Sequence, residues 1–396
     1  MPALAVCAHT ATSALGRGLD AHAAALARMR GGLAANDFSQ QPLACFIGRV
    51  AGLEDEALGD AWADWDCRNN RLAWLGLQQD GFAAAVEAAA TAHGRARVAV
   101  LMGTSTGSIG ATEEAYRRLD GARLPADLRR PALHSLHSLA GFVAAALDLH
   151  GPCLTVSTAC SSSAKVFAMA ERMIRLGLVD AAVVGGVDTL CESVLFGFNA
   201  LELVSPEPCR PFDAARRGIS IGEAAGFALL ERVGRAPAAP RLVGYGESSD
   251  AHHMSTPHPQ GLGAALALHD ALARAGVHAD AVDYVNLHGT ATPANDSVEA
   301  AWLARHLPAR TRASSTKGYT GHTLGAAGAI EAAMTLLAIE RGLVPGNLGC
   351  DAPETACAAQ LALASEARRV DVALSNSFGF GGNNACLAFA RAGATA

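Results

Sequence analysis

Charge is scarce in this sequence: Asp, Glu, Lys and Arg make up 17% of its 396 residues, against about 25% in an average globular chain. The 31 basic and 37 acidic residues are interspersed, with a formal net charge of −6. There is no charge run of the kind that forms a polyanion-binding tail. No apolar stretch approaches the roughly 18 residues of a membrane span, and Met1-Pro-Ala-Leu-Ala-Val-Cys7 lacks the basic start of a signal peptide. These absences set the expectation of a soluble, cytoplasmic protein with no nucleic-acid and no membrane partner. Paired cysteines are missing too. The ten cysteines stand singly, the nearest separated by six residues, which fits neither a disulfide framework nor a C-x-x-C metal site. Most are expected as small core hydrophobes. Aromatics reach only 5%, and a surface this short of charge is expected to lie partly under another subunit.

What is present is length, glycine and alternating periodicity. The chain spans about 2.6 typical domains of ~150 residues, and its 41 glycines exceed the usual ~7%. Strand-like apolar runs (Arg97 to Met102, Ala181 to Gly185, Tyr284 to Leu287, Val370 to Ser375) alternate with alanine-rich helical segments (Leu72 to His93, Ser161 to Leu176, Ala264 to Ala275, Ala326 to Arg341). That pattern predicts an α/β architecture. Gly177 and Gly342 are placed to close two of these helices, and the helix ends Arg-Leu-Gly-Leu-Val (175–179) and Glu-Arg-Gly-Leu-Val (340–344) align as a repeat. Residues 222–232 and 381–391 close their halves alike, each with a small-residue turn and an apolar strand. The proline-rich Gly234 to Pro240 is the seam between two similar halves, 1–233 and 241–396, sharing one core.

Thr155-Val-Ser-Thr-Ala-Cys160-Ser-Ser-Ser-Ala closes a strand and opens a helix. A cysteine there meets unpaired N–H groups and the positive end of the helix dipole, which lower a thiol's pKa. On the turn alone, Cys160 reads equally as one more buried cysteine. Two histidines shift that balance: His288 in Asn286-Leu-His-Gly-Thr-Ala-Thr-Pro, and His322 in Lys317-Gly-Tyr-Thr-Gly-His-Thr-Leu-Gly, both flanked by small polar residues. Cys160, His288, His322 and Lys317 together read as an acyl-transfer site, and Asn376-Ser-Phe-Gly-Phe380-Gly-Gly-Asn383 adds a glycine turn whose N–H groups suit an oxyanion. His134 and His137 fall three apart on an expected helix, and His252, His253 and His258 in a polar loop. None has the ligand spacing of a zinc site. Gly103 to Gly110 lacks the G-K-[ST] ending of a phosphate loop and reads as a turn over the cleft or at a subunit contact.

Taken together, Cys160, His288, Lys317, His322 and the Gly-Phe-Gly-Gly turn at 379–382 resemble the elongating β-ketoacyl-[acyl-carrier-protein] synthases. The resemblance covers nearly the whole chain, including Thr10 to Gly16, Arg210-Pro-Phe-Asp213, Gly222-Glu-Ala-Ala-Gly226 and Asp250-Ala-His-His-Met254. It implies a thiolase-like duplicated αβαβα five-layer sandwich. It also implies a decarboxylative Claisen condensation of malonyl carrier protein with a primer held on Cys160, in fatty-acid, polyketide or polyene elongation.

By position, the resemblance gives Cys160 and Phe380 N–H groups the oxyanion hole, and His288 and His322 the donation of protons to the malonyl thioester oxygen. Lys317, partnered by Glu331, tunes the field around them. Thr290 and Thr292 would hold the phosphopantetheine arm, which arrives on the acyl carrier protein, with no cofactor or metal bound by the chain. Phe378 would gate the site, while Phe198 and Thr106 would line the acyl pocket, with the small Thr106 lengthening it. Arg129 and Arg130, with Arg68, would dock the acidic carrier. A homodimer, or a heterodimer with a chain-length-factor-like subunit, is implied. The loop from Leu203 to Arg210 is shorter than usual in the family, and Tyr319 and Asn384 vary its motifs, which leaves substrate choice open. Two other readings stand beside this one. A non-catalytic chain-length-factor-like subunit would lack the nucleophile. A degradative thiolase would carry a second cysteine near the last glycine turn, for which Cys386 is poorly placed.

Overall fold

Runs such as Val98-Ala-Val-Leu-Met-Gly103 and Ala181-Ala-Val-Val-Gly-Gly-Val-Asp188 are buried at every residue, as parallel strands covered on both faces must be. In the computed structural model, which describes residues 1–394, the main strands are β1 (Leu4–Ser13), β2 (Val98–Gly103), β3 (Cys153–Val156), β4 (Ala181–Asp188), β5 (Ala224–Arg232), β6 (Arg241–Ser249), β7 (Tyr284–Asn286), β8 (Arg312–Ser314), β9 (Val372–Gly379) and β10 (Asn383–Ala390). They follow the order β8-β7-β9-β10-β6-β1-β5-β4-β2-β3. Outward from the β6–β1 contact, each strand matches the one five places later in the chain. The pairing senses match as well. β4–β5 and β9–β10 are antiparallel, while β2–β4, β2–β3, β7–β9 and β7–β8 are parallel. The central contact pairs only Leu4 with Leu242 and Ala5 with Arg241, so the ribbon is in effect two five-stranded sheets joined at one corner.

Helices α1 (Arg68–Leu77), α2 (Phe82–His93), α3 (Ser138–Ala146), α4 (Ser162–Arg175), α5 (Leu262–Ala275), α6 (Pro293–His306) and α7 (Ala327–Arg341) supply the other layers. α4 and α7 pack on each other and touch strands of both halves. α7 is buried at every residue from Ala327 to Ile339, which explains its nearly all-apolar sequence. α1, α2 and α3 cover the first sheet and α5 the second, with α6 beside it. This is the five-layer arrangement expected. Leu101, Phe167, Leu242, Ala332 and Phe389, drawn from both halves, share one apolar core. Gly177 (φ 71°) and Gly342 (φ 61°) end α4 and α7 in the left-handed conformation, as expected.

Two expectations are corrected. The single helix from Leu72 to His93 is two, broken where Asp80 (φ 55°) and Gly81 (φ 70°) turn left-handed. Asp80 is held there because its carboxylate accepts the Thr10 hydroxyl at 2.7 Å and the Leu19 N–H at 3.1 Å. His134 and His137 precede α3 instead of lying on a helix. His134 bridges Thr112 Oγ1 (3.0 Å) and the Leu128 carbonyl (2.9 Å), a local staple.

Candidate active site

Between β3 and α4 the chain turns through Ala159, whose φ of 53° is a conformation that costs a non-glycine residue about 1 kcal/mol or more. Its carbonyl accepts Ser162 N–H at 3.1 Å and Ser105 Oγ–H at 3.3 Å, which hold the strained turn. Gly103 lets β2 approach, since a Cβ there would lie 2.3 Å from Ser163 N. Cys160 is thereby set at the start of α4, 6% exposed. Burial pushes its thiol up to about 11, opposed by the Lys317 charge and by the N–H groups of Phe380 and Cys160 itself. The expected depressed thiol is thus reversed, because desolvation outweighs the helix terminus.

His322 Nε2 lies 3.1 Å from Cys160 Sγ. Its Nδ1 accepts Leu324 N–H at 3.2 Å, so the ring's proton sits on Nε2 and points at the sulfur. His288 packs edge-to-face against His322, ring centroids 5.4 Å apart. Its Nδ1 faces Lys317 Nζ at 3.3 Å, which leaves its proton on Nε2 too. Lys317 spends its other two donors on the His288 carbonyl and on Glu331 Oε1. Both imidazoles are held well below their usual pKa by burial and by the Lys317 charge. They are therefore neutral at pH 7. Sγ and one nitrogen from each ring lie within 4.8 Å of one another, a spacing open to a metal ion. The lysine ammonium beside them and the protonated Nε2 positions oppose a bound cation, and the set is built instead to donate protons.

These groups open into a cavity of about 370 Å³. Cys160, His288, His322, Thr290 and Thr292 line it together with Phe198, Phe378 and Phe380. The Phe198 and Phe380 rings meet at a tilt, centroids 5.7 Å apart, and the Thr290 and Thr292 hydroxyls bond each other at 2.9 Å. Lys317 and Glu331 sit behind the histidines, buried.

Three expected residues have partners that the sequence did not show. Thr106 does not line the cavity; it is buried, with its hydroxyl 2.6 Å from Asp188. Arg68 is committed to buried Glu223 (2.6 and 2.9 Å) and to Glu54, which gives it a structural role in the fold. Arg130 is half-buried and ties down the Ala63 and Asp66 carbonyls, leaving Arg129 as the exposed member of the pair. Sequence reasoning missed Glu299. It accepts the N–H groups of His288 (2.8 Å) and Gly289 (2.7 Å) and the amide of Asn376 (3.2 Å), fixing the backbone that carries His288. Burial raises its carboxyl to about 7 against those bonds. An acidic residue nearly two turns into the helix after the His288 motif was the only signal.

Family models described as β-ketoacyl synthase, N-terminal domain and C-terminal domain match residues 70–236 and 240–351. The 3-oxoacyl-[acyl-carrier-protein] synthase 2 of Vibrio cholerae is 36% identical over 316 residues, 75% of this chain and 76% of that protein. Among solved structures, a chain of the Xenorhabdus doucetiae complex of ketosynthase ApeO with its chain length factor ApeC superposes with a TM-score of 0.89 at 37% identity, covering 99% of this chain and 98% of that one. The ishigamide ketosynthase/chain length factor also reaches 0.89, at 26% identity and 99% and 100% coverage. With half the chain and more matched by those domain models, and a site built for acyl transfer beneath them, the chain belongs to the β-ketoacyl synthase family, the acyltransferases that form carbon–carbon bonds by condensation in fatty-acid or polyketide synthesis.

Proposed function

We propose that Cys160 carries the acyl primer between two carrier-bound substrates. Sγ attacks the primer thioester, the carrier's C–S bond breaks, and the departing phosphopantetheine thiolate takes the cysteine's proton. The tetrahedral oxygen sits on the N–H groups of Cys160 and Phe380. Malonyl carrier protein then enters with Thr290 and Thr292 on its arm. As CO2 leaves, the Nε2–H groups of His288 and His322 bond the enolate oxygen; the enolate carbon then attacks the acyl carbonyl, the C–S bond to Cys160 breaks, and the expelled thiolate takes a proton from solvent to restore the thiol. The scheme calls for no cofactor held by the chain. The observation that carries it is the gathering around one sulfur of the His322 Nε2–H at 3.1 Å, a ring nitrogen of neutral His288 within 4.8 Å, and the backbone N–H groups of Phe380 and Cys160. That same set argues against a non-catalytic subunit. The thiolase reading loses its second cysteine, because Cys386 is fully buried in the core of the second half.

The partner we propose is a second thiolase-fold chain, either another copy or a chain-length-factor-like subunit. β3 ends the sheet and pairs on one side only among the described residues, and its Leu154 is 43% exposed. A free apolar edge of this kind invites strand addition. No described helix is long and apolar enough to cross a membrane, and we place the reaction in the cytoplasm with its carrier. Arg129, the exposed member of its pair, is the arginine we propose to meet the acidic carrier. Incubation with a panel of acyl carrier proteins, read by intact mass, tests the reading. Acylation absent from Cys160→Ala, with product formed only when malonyl carrier is added, supports it; no acylation by any primer overturns it in favour of the non-catalytic subunit.

A further inference from the structure

The misplaced Thr106 leads to a buried carboxylate. Asp188, the last residue of β4, has no exposed surface and accepts five donors. Four come from the loop after β2: Thr104 Oγ1 (2.6 Å), Ser105 N (2.9 Å), Thr106 N (2.6 Å) and Thr106 Oγ1 (2.6 Å). The fifth, Ala326 N at 2.9 Å, belongs to the turn that leads from His322 into α7. Ser105 in turn gives its hydroxyl to the carbonyl of Ala159, the strained residue before Cys160. Gly325 completes the closure, since a Cβ there would lie 2.7 Å from Asp188 Oδ2 and 2.6 Å from Ser105 N. Burial pushes the Asp188 carboxyl upward and the hydroxyl and N–H donors pull it back. One carboxylate therefore touches both turns of the reaction centre, one directly and one through Ser105. Cys160 and His322 are 162 residues apart in the chain, so their 3.1 Å spacing depends on such a bridge.

We propose that Asp188 is a positioning residue for the condensation, setting the gap between Cys160 Sγ and His322 Nε2 by anchoring both turns. The inference rests on the acyl-transfer reading of those two residues. Asp188→Asn turns one acceptor into an N–H donor facing other donors, and Ser105→Ala removes only the link to Ala159. Displacements of the order of 1 Å cost up to about 100-fold, so Asp188→Asn should lower condensation kcat by about 10- to 100-fold per folded molecule, with the KM for malonyl carrier within about twofold. Iodoacetamide alkylation of Cys160 needs the thiol alone and should stay within about threefold. Ser105→Ala should slow Cys160 acylation several-fold at an unchanged melting temperature, and Thr106→Ser should recover rate lost in Thr106→Val. Condensation by folded Asp188→Asn within about twofold of the parent overturns the proposal. Where that variant does not fold, unchanged acylation in Ser105→Ala overturns it. Absence of acylation in the parent itself sinks the acyl-transfer reading, a distinct result.

Discussion

Replacing Glu331 by Leu removes one charge from a contact that water does not reach. The Lys317 and Glu331 side chains are 2% and 3% exposed, and the ammonium's remaining donors already go to His288. Breaking a buried pair by deleting one partner costs about 3–5 kcal/mol, whereas replacing both by apolar groups is close to neutral. At an unfolding entropy of about 2.1 cal/mol/K per residue, the 396 residues lose about 1 °C per 0.8 kcal/mol. Glu331→Leu and Lys317→Met should therefore each lower Tm by about 4–6 °C, while the double variant should return to within about 1–2 °C of the parent. Condensation should not return with it, because His288 Nδ1 then has no donor to fix its proton on Nε2. Thermal unfolding and steady-state condensation on the four proteins close the cycle. Additive losses in the double variant would refute the pairing. A double variant with restored stability and restored condensation would refute the role of Lys317 in holding His288.

Three further outcomes follow from the same geometry. His288 is neutral in the fold, with its pKa lowered by burial and Lys317. Its contribution to stability is therefore complete above the unfolded value near 6.5 and is lost as pH falls, at up to about 1.4 kcal/mol per pH unit relative to His288→Asn; parallel stability curves for the two proteins would contradict this. With the Cys160 thiol at about 11, alkylation should keep climbing, by close to tenfold per pH unit, from pH 7 to 9, and a plateau below pH 8 would place the thiol far lower. Arg68→Ala strands the buried Glu223 carboxylate, so it should cost about 3–5 kcal/mol in urea unfolding and leave the carrier KM of the folded enzyme unchanged. A raised KM at full stability would return Arg68 to the docking surface.

How much was legible depended on how local the cause was. The parallel strands showed as continuous apolar runs because both their faces are covered, and the cavity's polar residues lie in glycine-rich turns whose composition sets them apart from core. The break at Asp80-Gly81 was hidden between two helix-forming alanine segments, although Asp-Gly is itself a turn signal. The partners of Thr106, Arg68 and Arg130 were not legible because distant chain supplies them. Asp188 is 82 residues from Thr106, Glu223 is 155 from Arg68, and the carbonyls Arg130 holds are 67 and 64 residues away. The thiol's direction was also beyond local reading. The helix terminus is visible in the sequence, and the burial that overrides it is not.

The division of labour between the halves has a consequence for how the molecule is made. The nucleophile belongs to the strand set completed by β5, and both histidines, Lys317 and the Phe380 turn belong to the set that starts at β6. A ribosome therefore finishes the first sheet, with the inner face of α4 still lacking α7, well before any residue that can use Cys160 exists. Until α7 docks, that nascent half displays an apolar helix face with no cover, the kind of surface that aggregates or recruits chaperones. Long-range closure of this sort is slow, so recovered activity should be the last signal to appear on refolding, after helical content has returned.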